Sequence, residues 1–243
     1  MKVAIIFITL NRSSITIDCM DKNLSNCGYN NYKVFVADNG SNENEILNYI
    51  EKFNYVKRYS TNQGISKAFN HLIKKAYDKN FDSFVLLGND IAMPDNWLKC
   101  WIDHHLHYKE ESGIIGMQCS IPVIKLEEYK GKVISKIEIG DRVFGCWYLP
   151  RLLIDKVGYL FEYPGTYGIE DSDYNERVTR SGFTSFYVDS TKWKTDHLDM
   201  DIGENTEYRQ MKDRSLNINQ MSFGFRLSEY YSQNKRLYHN PFE

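Results

Sequence analysis

The sequence predicts an α/β domain in which a mostly parallel central sheet is flanked by helices. Short apolar runs with strand character alternate with stretches whose apolar residues recur at helical spacing, as a doubly wound sheet requires. Two of these runs, residues 34–37 and 84–87, end directly in polar clusters that contain Asp38 and Asp90. Because ligands bind beyond the carboxyl ends of the strands in open α/β sheets, these clusters mark a candidate site.

The predicted elements of the first half follow this alternation. Residues 3–10 form the first strand and residues 34–37 the second, and Ser41 then suits the N-cap of a helix. Residues 55–59 form a short strand, which is followed by a strongly amphipathic helix from Ile65 to Ala76. Residues 84–87 form the third long strand. The next helix begins at Pro94, since proline is favoured in a first helical turn.

The second half is less regular. We predict strands over residues 113–117, 145–149 and 183–188, a polar loop or hairpin over 125–142, and helices over 151–157 and 171–181. The second of these helices ends at Gly182. From about residue 203 to 243 the chain is polar and rich in tyrosine, which predicts a helical C-terminal extension. With no repeat and no low-complexity linker, we expect one domain over residues 1–243.

Composition excludes several classes of protein. Of the 243 residues, 42% are hydrophobic and 26% charged, which is enough for one substantial core. The formal net charge of −2 argues against a nucleic acid as the main partner. No run of the sequence approaches the roughly 20 apolar residues of a membrane-spanning helix, and no signal peptide is evident. The five cysteines form no CxxC pair, so buried, reduced thiols in a cytoplasmic protein are expected.

The first two strands end in residues suited to a nucleotide. Thr9, Asn11 and Arg12 close the first strand, beside Asp38 at the end of the second. A carboxylate at this position can accept a hydrogen bond from a pyrimidine N3–H, while the first loop lines the base and ribose. Asp38 and the three residues after it also favour an ordinary turn and helix cap, so that interpretation stays open.

A glycine and a second acidic residue extend this candidate site. Gly64 would permit close approach of the backbone to a ligand. Asn89 and Asp90 follow the third long strand, where hard oxygen ligands suit Mg²⁺ or Mn²⁺. A strand that simply ends in a turn is the alternative. His197 is a further candidate metal ligand, because neutral imidazole binds such cations.

A third acidic cluster opens the helix over residues 171–181. Glu170, Asp171 and Asp173 stand where the helix dipole favours negative charge, so capping explains one or two of them. Capping does not explain why this cluster is followed by Arg177 and Gly182 and preceded by Gly145, Arg151 and Gly158, in that order.

This order of motifs resembles the GT-A glycosyltransferases, and among them the inverting family-two enzymes, over about residues 3 to 200. The resemblance implies that Asp171 deprotonates an acceptor hydroxyl, and that Asp90 and His197 bind a metal ion on the donor diphosphate. It implies nucleotide contacts from Thr9, Asn11, Arg12, Asp38, Asn62, Gly64, Asn70 and Asn89, and an acceptor-side or supporting role for Glu170, Asp173 and Arg177. The chain departs from the family where Gly88 replaces the first residue of the usual Asp-x-Asp.

The resemblance implies an inverting transfer of a sugar from a UDP- or dTDP-linked donor to a hydroxyl of a glycan, or of a lipid- or protein-linked glycan. It implies Mn²⁺ or Mg²⁺ as cofactor and a role in polysaccharide biosynthesis, in the cytoplasm or at a membrane surface reached through the acceptor. Two alternatives remain open. A nucleotidyltransferase would need a glycine-rich basic loop, and residues 9–14 contain no glycine. A catalytically silent GT-A-like module is consistent with Gly88.

Overall fold

The computed structural model describes residues 1–119, 125–141, 143, 145–198, 207–232 and 237–243. The helices and strands are, in chain order, β1 (Val3–Thr9), α1 (Ser13–Ser25), β2 (Tyr32–Asp38), α2 (Asn44–Ile50), β3 (Tyr55–Arg58), α3 (Ile65–Asp78), β4 (Ser83–Leu87), β5 (Ile91–Ala92), α4 (Trp97–Tyr108), β6 (Ser112–Gly116), β7 (Gln118–Cys119), β8 (Glu127–Tyr129), β9 (Lys132–Lys136), β10 (Cys146–Pro150), α5 (Arg151–Val157), α6 (Glu170–Arg180), β11 (Thr184–Val188), β12 (Lys194–His197) and α7 (Glu207–Ser232).

In the described part of the chain, nine strands form a central sheet in the order β3-β2-β1-β4-β10-β6-β11-β9-β8. The strands β3, β2, β1 and β4 pair in parallel, as do β6 and β11. Strand β10 lies antiparallel between β4 and β6, and the β8–β9 hairpin adds an antiparallel edge. The chain passes from β1 to β2 on one side and returns to β4 on the other, so a switch point lies between β1 and β4. This is the place where α/β sheets bind ligands.

The core has two layers, one on each face of the sheet. Successive residues of a strand point to opposite faces, and β1 shows this clearly. Val3, Ile5 and Phe7 pack with residues of α1, α2 and α4, whereas Ala4 and Ile6 pack with residues of α3, α5 and α6. These five residues of β1 are fully buried, which confirms the prediction of a buried first strand.

The predicted elements are confirmed, with differences of a few residues at their ends. The largest difference at a boundary is in α4, which begins at Trp97 rather than Pro94 because Asn96 adopts a left-handed conformation at φ 60°. The hairpin predicted over 125–142 is β8–β9, and Arg142 itself lies outside the described residues. Cys19, Cys27, Cys100 and Cys146 are buried thiols, as predicted.

Four elements were not predicted, namely α1 and the short strands β5, β7 and β12. Helix α1 buries polar residues, among them Ser13, Thr16 and Asn23, so it lacks the apolar spacing that identifies a helix. Strand β12 pairs with β5 and β7 in a small second sheet beside the switch point. The helical extension predicted for the C-terminal region is α7, a helix of 26 residues. No helix in the described ranges has both the length and the apolar character needed to cross a bilayer.

Candidate active site

A cleft of about 430 Å³ opens beyond the carboxyl ends of β1 and β4. Six residues predicted for the site line it: Asn62, Asn89, Asp90, Glu170, Asp171 and His197. Thr9, Asn11, Arg12, Asp38 and Gly64 lie beside the cleft rather than on its wall. The structure therefore brings together motifs that are more than a hundred residues apart in the sequence.

Asp90 lies between two basic side chains. Strand β12 places His197 opposite Ile91 of β5, and the Leu198 N–H donates to the Asp90 carbonyl at 2.8 Å. This pairing brings His197 Nε2 to 4.0 Å from one carboxylate oxygen of Asp90, while Arg12 Nη1 is 3.4 Å from the other. The Asp90 carboxylate is nearly buried, and both of its oxygens face nitrogen atoms of these two side chains.

The first loop is held in a sharp turn by Glu43. Asn11 and Arg12 both adopt left-handed conformations, at φ 51° and 60°. The Glu43 carboxylate accepts from the N–H groups of Arg12 at 2.9 Å and Ser13 at 2.7 Å, and from the Ser13 hydroxyl. These hydrogen bonds, led by the one from the Ser13 hydroxyl, lower the pKa of Glu43. Glu43 therefore caps α1 and orients Arg12 toward Asp90, a role that the sequence alone did not reveal.

Asp38 is buried at the end of β2 and bonds within its own loop. Its carboxylate accepts from the Thr9 hydroxyl at 3.2 Å and from the Ser41 N–H at 3.3 and 3.4 Å. The neighbouring loop is tied to it because the Asn11 N–H donates to Ser41 Oγ at 2.7 Å. These contacts agree with the turn interpretation and also fix the carboxylate next to the cleft. Its contact with a nucleotide base stays a prediction.

An asparagine pair organises the loop before α3. Asn39 Nδ2 donates to Asn62 Oδ1 at 2.8 Å, and Asn62 Oδ1 also accepts the Gly64 N–H at 2.9 Å. Gly64 has φ +86°, and a Cβ there would lie 3.3 Å from Thr166 Cα. The close approach predicted for Gly64 is therefore to the backbone of residue 166. Asn39 lines the cleft and was not among the predicted site residues.

Asn70 was predicted to contact the nucleotide, and the structure corrects this. Its amide is fully buried, donates to the Leu160 carbonyl at 2.8 Å and accepts the Leu160 N–H at 2.9 Å. A further bond runs to Glu162 at 3.1 Å. Asn70 joins α3 to the segment after α5, because a buried amide must satisfy its donors and acceptors locally.

Glu170 and Asp171 begin α6 and face the cleft. Asp171 Oδ2 accepts the Val143 N–H at 3.0 Å, and this hydrogen bond fixes the carboxylate against the segment that precedes β10. Burial raises the pKa of Glu170, and the negative charge of Asp171 raises it further. Of this pair, Glu170 is the residue more easily held neutral, which leaves Asp171 as the candidate base.

Asp173 and Arg177 support α6 and do not line the cleft. Both side chains are fully buried, and Arg177 Nε donates to Asp173 at 3.0 Å. Asp173 also accepts from Arg226 Nε at 3.2 Å and from the Tyr230 hydroxyl at 2.7 Å, so it joins α6 to α7. Burial acts to raise the pKa of Asp173, but the two guanidinium groups and the Tyr230 hydroxyl lower it overall. Of the acceptor-side and supporting roles predicted for these two residues, their contacts agree with the supporting one.

Helix α7 contributes a wall of the cleft that the sequence did not reveal. Met211, Lys212 and Leu216 line the cleft, and Lys212 Nζ lies 4.8 Å from the ring centre of Tyr167. No local motif marks these residues, because their position follows from the packing of α7 against α6.

The Asp90–His197 pair fits a metal ion only as a partial site. No group of three or more His, Cys, Asp or Glu side chains in the described ranges is arranged to hold one. Adjacent ligands of an octahedral ion with bonds of about 2.1 Å are about 3 Å apart, whereas these two donors are 4.0 Å apart. The His197 side chain is partly exposed and would have to move closer to Asp90 for both to hold one ion.

The comparisons agree with this architecture. Residues 4–116 match the model of the family Glycosyl transferase family 2. An uncharacterized glycosyltransferase of Acanthamoeba polyphaga mimivirus is 26% identical over 182 residues, which cover 71% of this chain and 70% of the relative.

Several solved structures are similar in fold, and two of them are complexes with a nucleotide sugar. The mannosyltransferase PcManGT from Pyrobaculum calidifontis, in complex with GDP-Man and Mn²⁺, has a TM-score of 0.66 and 13% identity. The match covers 97% of this chain, which spans 65% of the length of that one. TarS from S. aureus, in complex with UDP-GlcNAc, has a TM-score of 0.59 and 15% identity, with 97% of this chain and 76% of that chain covered. The chain therefore shares the GT-A fold of these two proteins, and its residues 4–116 are similar to Glycosyl transferase family 2.

Proposed function

We propose that this chain is an inverting, metal-assisted glycosyltransferase that moves a sugar from a UDP- or dTDP-linked donor to a hydroxyl of a glycan, or of a lipid- or protein-linked glycan. The observation that carries the proposal is that Asp90, His197 and Asp171 line one cleft at the switch point of the sheet. Residues for donor binding, Asp90 and His197, and a residue for activation of the acceptor, Asp171, thus lie on separate elements around one cavity. A role in polysaccharide biosynthesis follows from such an acceptor.

The donor side of the reaction would use Asp90, His197 and Arg12. Asp90 and His197 would hold Mg²⁺ or Mn²⁺, and the bound ion would neutralise charge on the diphosphate leaving group. Arg12, held by the Glu43 cap, supplies a further positive charge beside the same carboxylate. Gly88 takes away one carboxylate from the usual pair, which makes this basic side chain more important for neutralising the diphosphate.

The acceptor side would use Asp171. A carboxylate in contact with an acceptor hydroxyl removes its proton as the oxygen attacks the anomeric carbon in line with the leaving group. Such a single displacement inverts the anomeric configuration. Glu170, whose pKa burial raises, adds no second full negative charge beside the attacking oxygen. The base is therefore one carboxylate with a fixed orientation rather than a repelling pair.

We infer the nucleotide base of the donor from Asp38, because the fold alone is compatible with more than one nucleotide. One neighbour is in complex with GDP-Man and the other with UDP-GlcNAc. We expect UDP or dTDP to bind more tightly than GDP, and Asp38→Ala to weaken pyrimidine nucleotide binding by about 1–3 kcal/mol, the usual loss for a buried hydrogen-bond partner. Isothermal titration calorimetry with the three diphosphates measures both effects and tests the proposed donor class.

The matched control for this test is Asp18→Ala, which removes an exposed carboxylate from α1. Asp38→Asn is a second variant, since an amide oxygen can keep the contacts to Thr9 and Ser41 but the residue loses its charge. Tighter binding of GDP than of both pyrimidine diphosphates would overturn the proposal that the donor carries a pyrimidine base.

Metal binding is expected to depend on the nucleotide. With two protein ligands, Mn²⁺ should bind weakly alone and more tightly once a diphosphate is present. Asp90→Asn should remove most of this gain, because the amide lacks the charge of the carboxylate. The measurements are Mn²⁺ titration with and without UDP, and release of nucleoside diphosphate during transfer before and after chelation.

Asp196→Asn is the control, since Asp196 is an exposed acidic residue next to His197 on the same strand. Full transfer activity in chelator-treated enzyme, or an Asp90→Asn variant that behaves like Asp196→Asn, would contradict the metal assignment.

A further inference from the structure

Helix α7 holds the loop that leads into the Glu170-Asp171 pair. The loop 165–168 lies between α3 and α7: the Ile65 N–H at the start of α3 donates to the Thr166 carbonyl at 3.1 Å, and Thr166 Oγ1 lies 3.1 Å from Ser215 Oγ of α7. Thr166, Tyr167 and Gly168 also line the cleft. Any movement of this loop therefore changes both the wall of the cleft and the start of α6.

One side chain, Asn219, makes most of the contacts that fix the loop. Its Oδ1 accepts the Gly165 N–H at 2.7 Å. Its Nδ2 lies 2.9 Å from the Gly168 carbonyl oxygen, 3.0 Å from that of Tyr167 and 3.3 Å from that of Gly165. Asn219 is only 1% exposed. A buried amide that bonds three residues of one loop specifies the path of that backbone, because an alternative path would leave these groups unpaired.

The loop and the helix also pack without space between them. A Cβ at Gly165 would lie 2.6 Å from Asn219 Oδ1, and one at Gly168 would lie 2.7 Å from Leu216 Cδ1. These two glycines allow α7 to approach the backbone closely enough for a single asparagine to bond it.

The backbone after the loop is strained. Gly168 has φ +89°, and Ile169, the residue before α6, has φ +77°. A β-branched residue in the left-handed region is a genuine outlier, and such a conformation persists only where the surroundings hold it. Asn219 bonds the carbonyl of Gly168, directly before this strained residue. The strained turn sets the direction in which Glu170 and Asp171 leave the loop.

We propose that Asn219 is a positioning residue for the reaction: by fixing the loop 165–168 it holds Asp171 in the orientation that activates the acceptor hydroxyl. The proposal rests on the proposed function, in which Asp171 is the base. Asn219 acts through the backbone and is not expected to touch the donor nucleotide, whose candidate ligands lie on the loops after β1, β2, β3 and β4.

The test compares Asn219→Ala with Asn217→Ala, an exposed asparagine on the same helix. Hydrogen exchange followed by mass spectrometry reports on residues 165–171 without any substrate. Turnover, acceptor KM and nucleotide affinity are measured on the same samples. We expect Asn219→Ala to exchange faster over residues 165–171 only, to lose about 10–100-fold in kcat as misplaced catalytic groups do, and to bind UDP within about twofold of wild type. Asn217→Ala should match wild type throughout.

Asn219→Asp is the more severe variant, because its carboxylate keeps an acceptor for the Gly165 N–H but places a buried negative charge against the Tyr167 and Gly168 carbonyl oxygens. Its exchange over residues 165–171 should be at least as fast as that of Asn219→Ala, and its kcat at least as low. Unchanged kcat or unchanged exchange in Asn219→Ala overturns the proposal, as does faster exchange over the whole chain with equal loss of nucleotide binding. If wild type transfers no sugar, the proposed function fails, and the proposed role of Asn219 in catalysis fails with it, whereas local exchange still reports whether Asn219 fixes the loop.

Discussion

Asp171→Asn is expected to lower turnover by about 10²–10⁴-fold, the usual contribution of a general base, with donor affinity nearly unchanged. The amide keeps the shape of the side chain and an oxygen for the Val143 N–H, but it cannot take a proton from the acceptor. Donor affinity should persist because the candidate nucleotide and metal ligands lie on other elements of the site. Steady-state transfer kinetics paired with calorimetric titration of UDP measure both quantities.

Glu170→Gln is the matched control for this variant. Burial favours the neutral form of Glu170, so an uncharged glutamine at the same position should cost far less turnover than the change at Asp171. Asp173→Asn should act mainly on stability, since the Asp173 carboxylate is fully buried between α6 and α7. Near-normal turnover in Asp171→Asn would remove Asp171 as the base, and an equal loss of donor binding would make its role structural.

The fold could be predicted wherever one element carries its own periodicity. Strands β1 and β4 are continuous apolar runs, and α3 has a clear apolar stripe, so each was predicted to within two residues at either end. Helix α1 buries polar side chains and β12 is only four residues long, so neither has such a pattern. Their positions depend on tertiary contacts, namely the Glu43 cap for α1 and pairing with β5 for β12.

In the candidate site, too, residues with a local sequence signal could be predicted and residues placed by tertiary packing could not. Asp90 follows a strand and Asp171 lies in the first turn of a helix, and these local positions were enough to place both at the cleft. Asn70 matches the family motif equally well, yet its amide is used inside the core. Met211 and Asn219 belong to a helix whose inward contacts are partly polar, so no apolar stripe indicates which of its residues face the site. Motif spacing thus predicts candidates, whereas their access to the cleft is decided by packing.

Arg177→Met is expected to lower the free energy of unfolding by about 3–5 kcal/mol, the usual cost of removing one partner from a buried ion pair. Methionine fills much of the same volume, so the loss reports on charge and hydrogen bonds rather than on a cavity. Arg177 donates to Asp173, and also to the carbonyls of Val157 and Tyr159 at 2.9 and 2.8 Å. The variant leaves these acceptors buried with fewer donors. Urea unfolding followed by tryptophan fluorescence measures the change.

Lys99→Met is the control, because Lys99 and Asp103 form an ion pair with the same i,i+4 spacing on α4 but are 57% and 48% exposed. Exposed pairs contribute about 0–1 kcal/mol, so Lys99→Met should be close to wild type. A loss of less than 1 kcal/mol for Arg177→Met would show that the buried network does not stabilise the fold. Because that network joins α6 to α7 and contains none of the candidate nucleotide ligands, Arg177→Met should still bind UDP where it remains folded. The turnover of this variant should then decrease by a larger factor than its donor affinity, because the two joined helices carry Asp171 and Asn219.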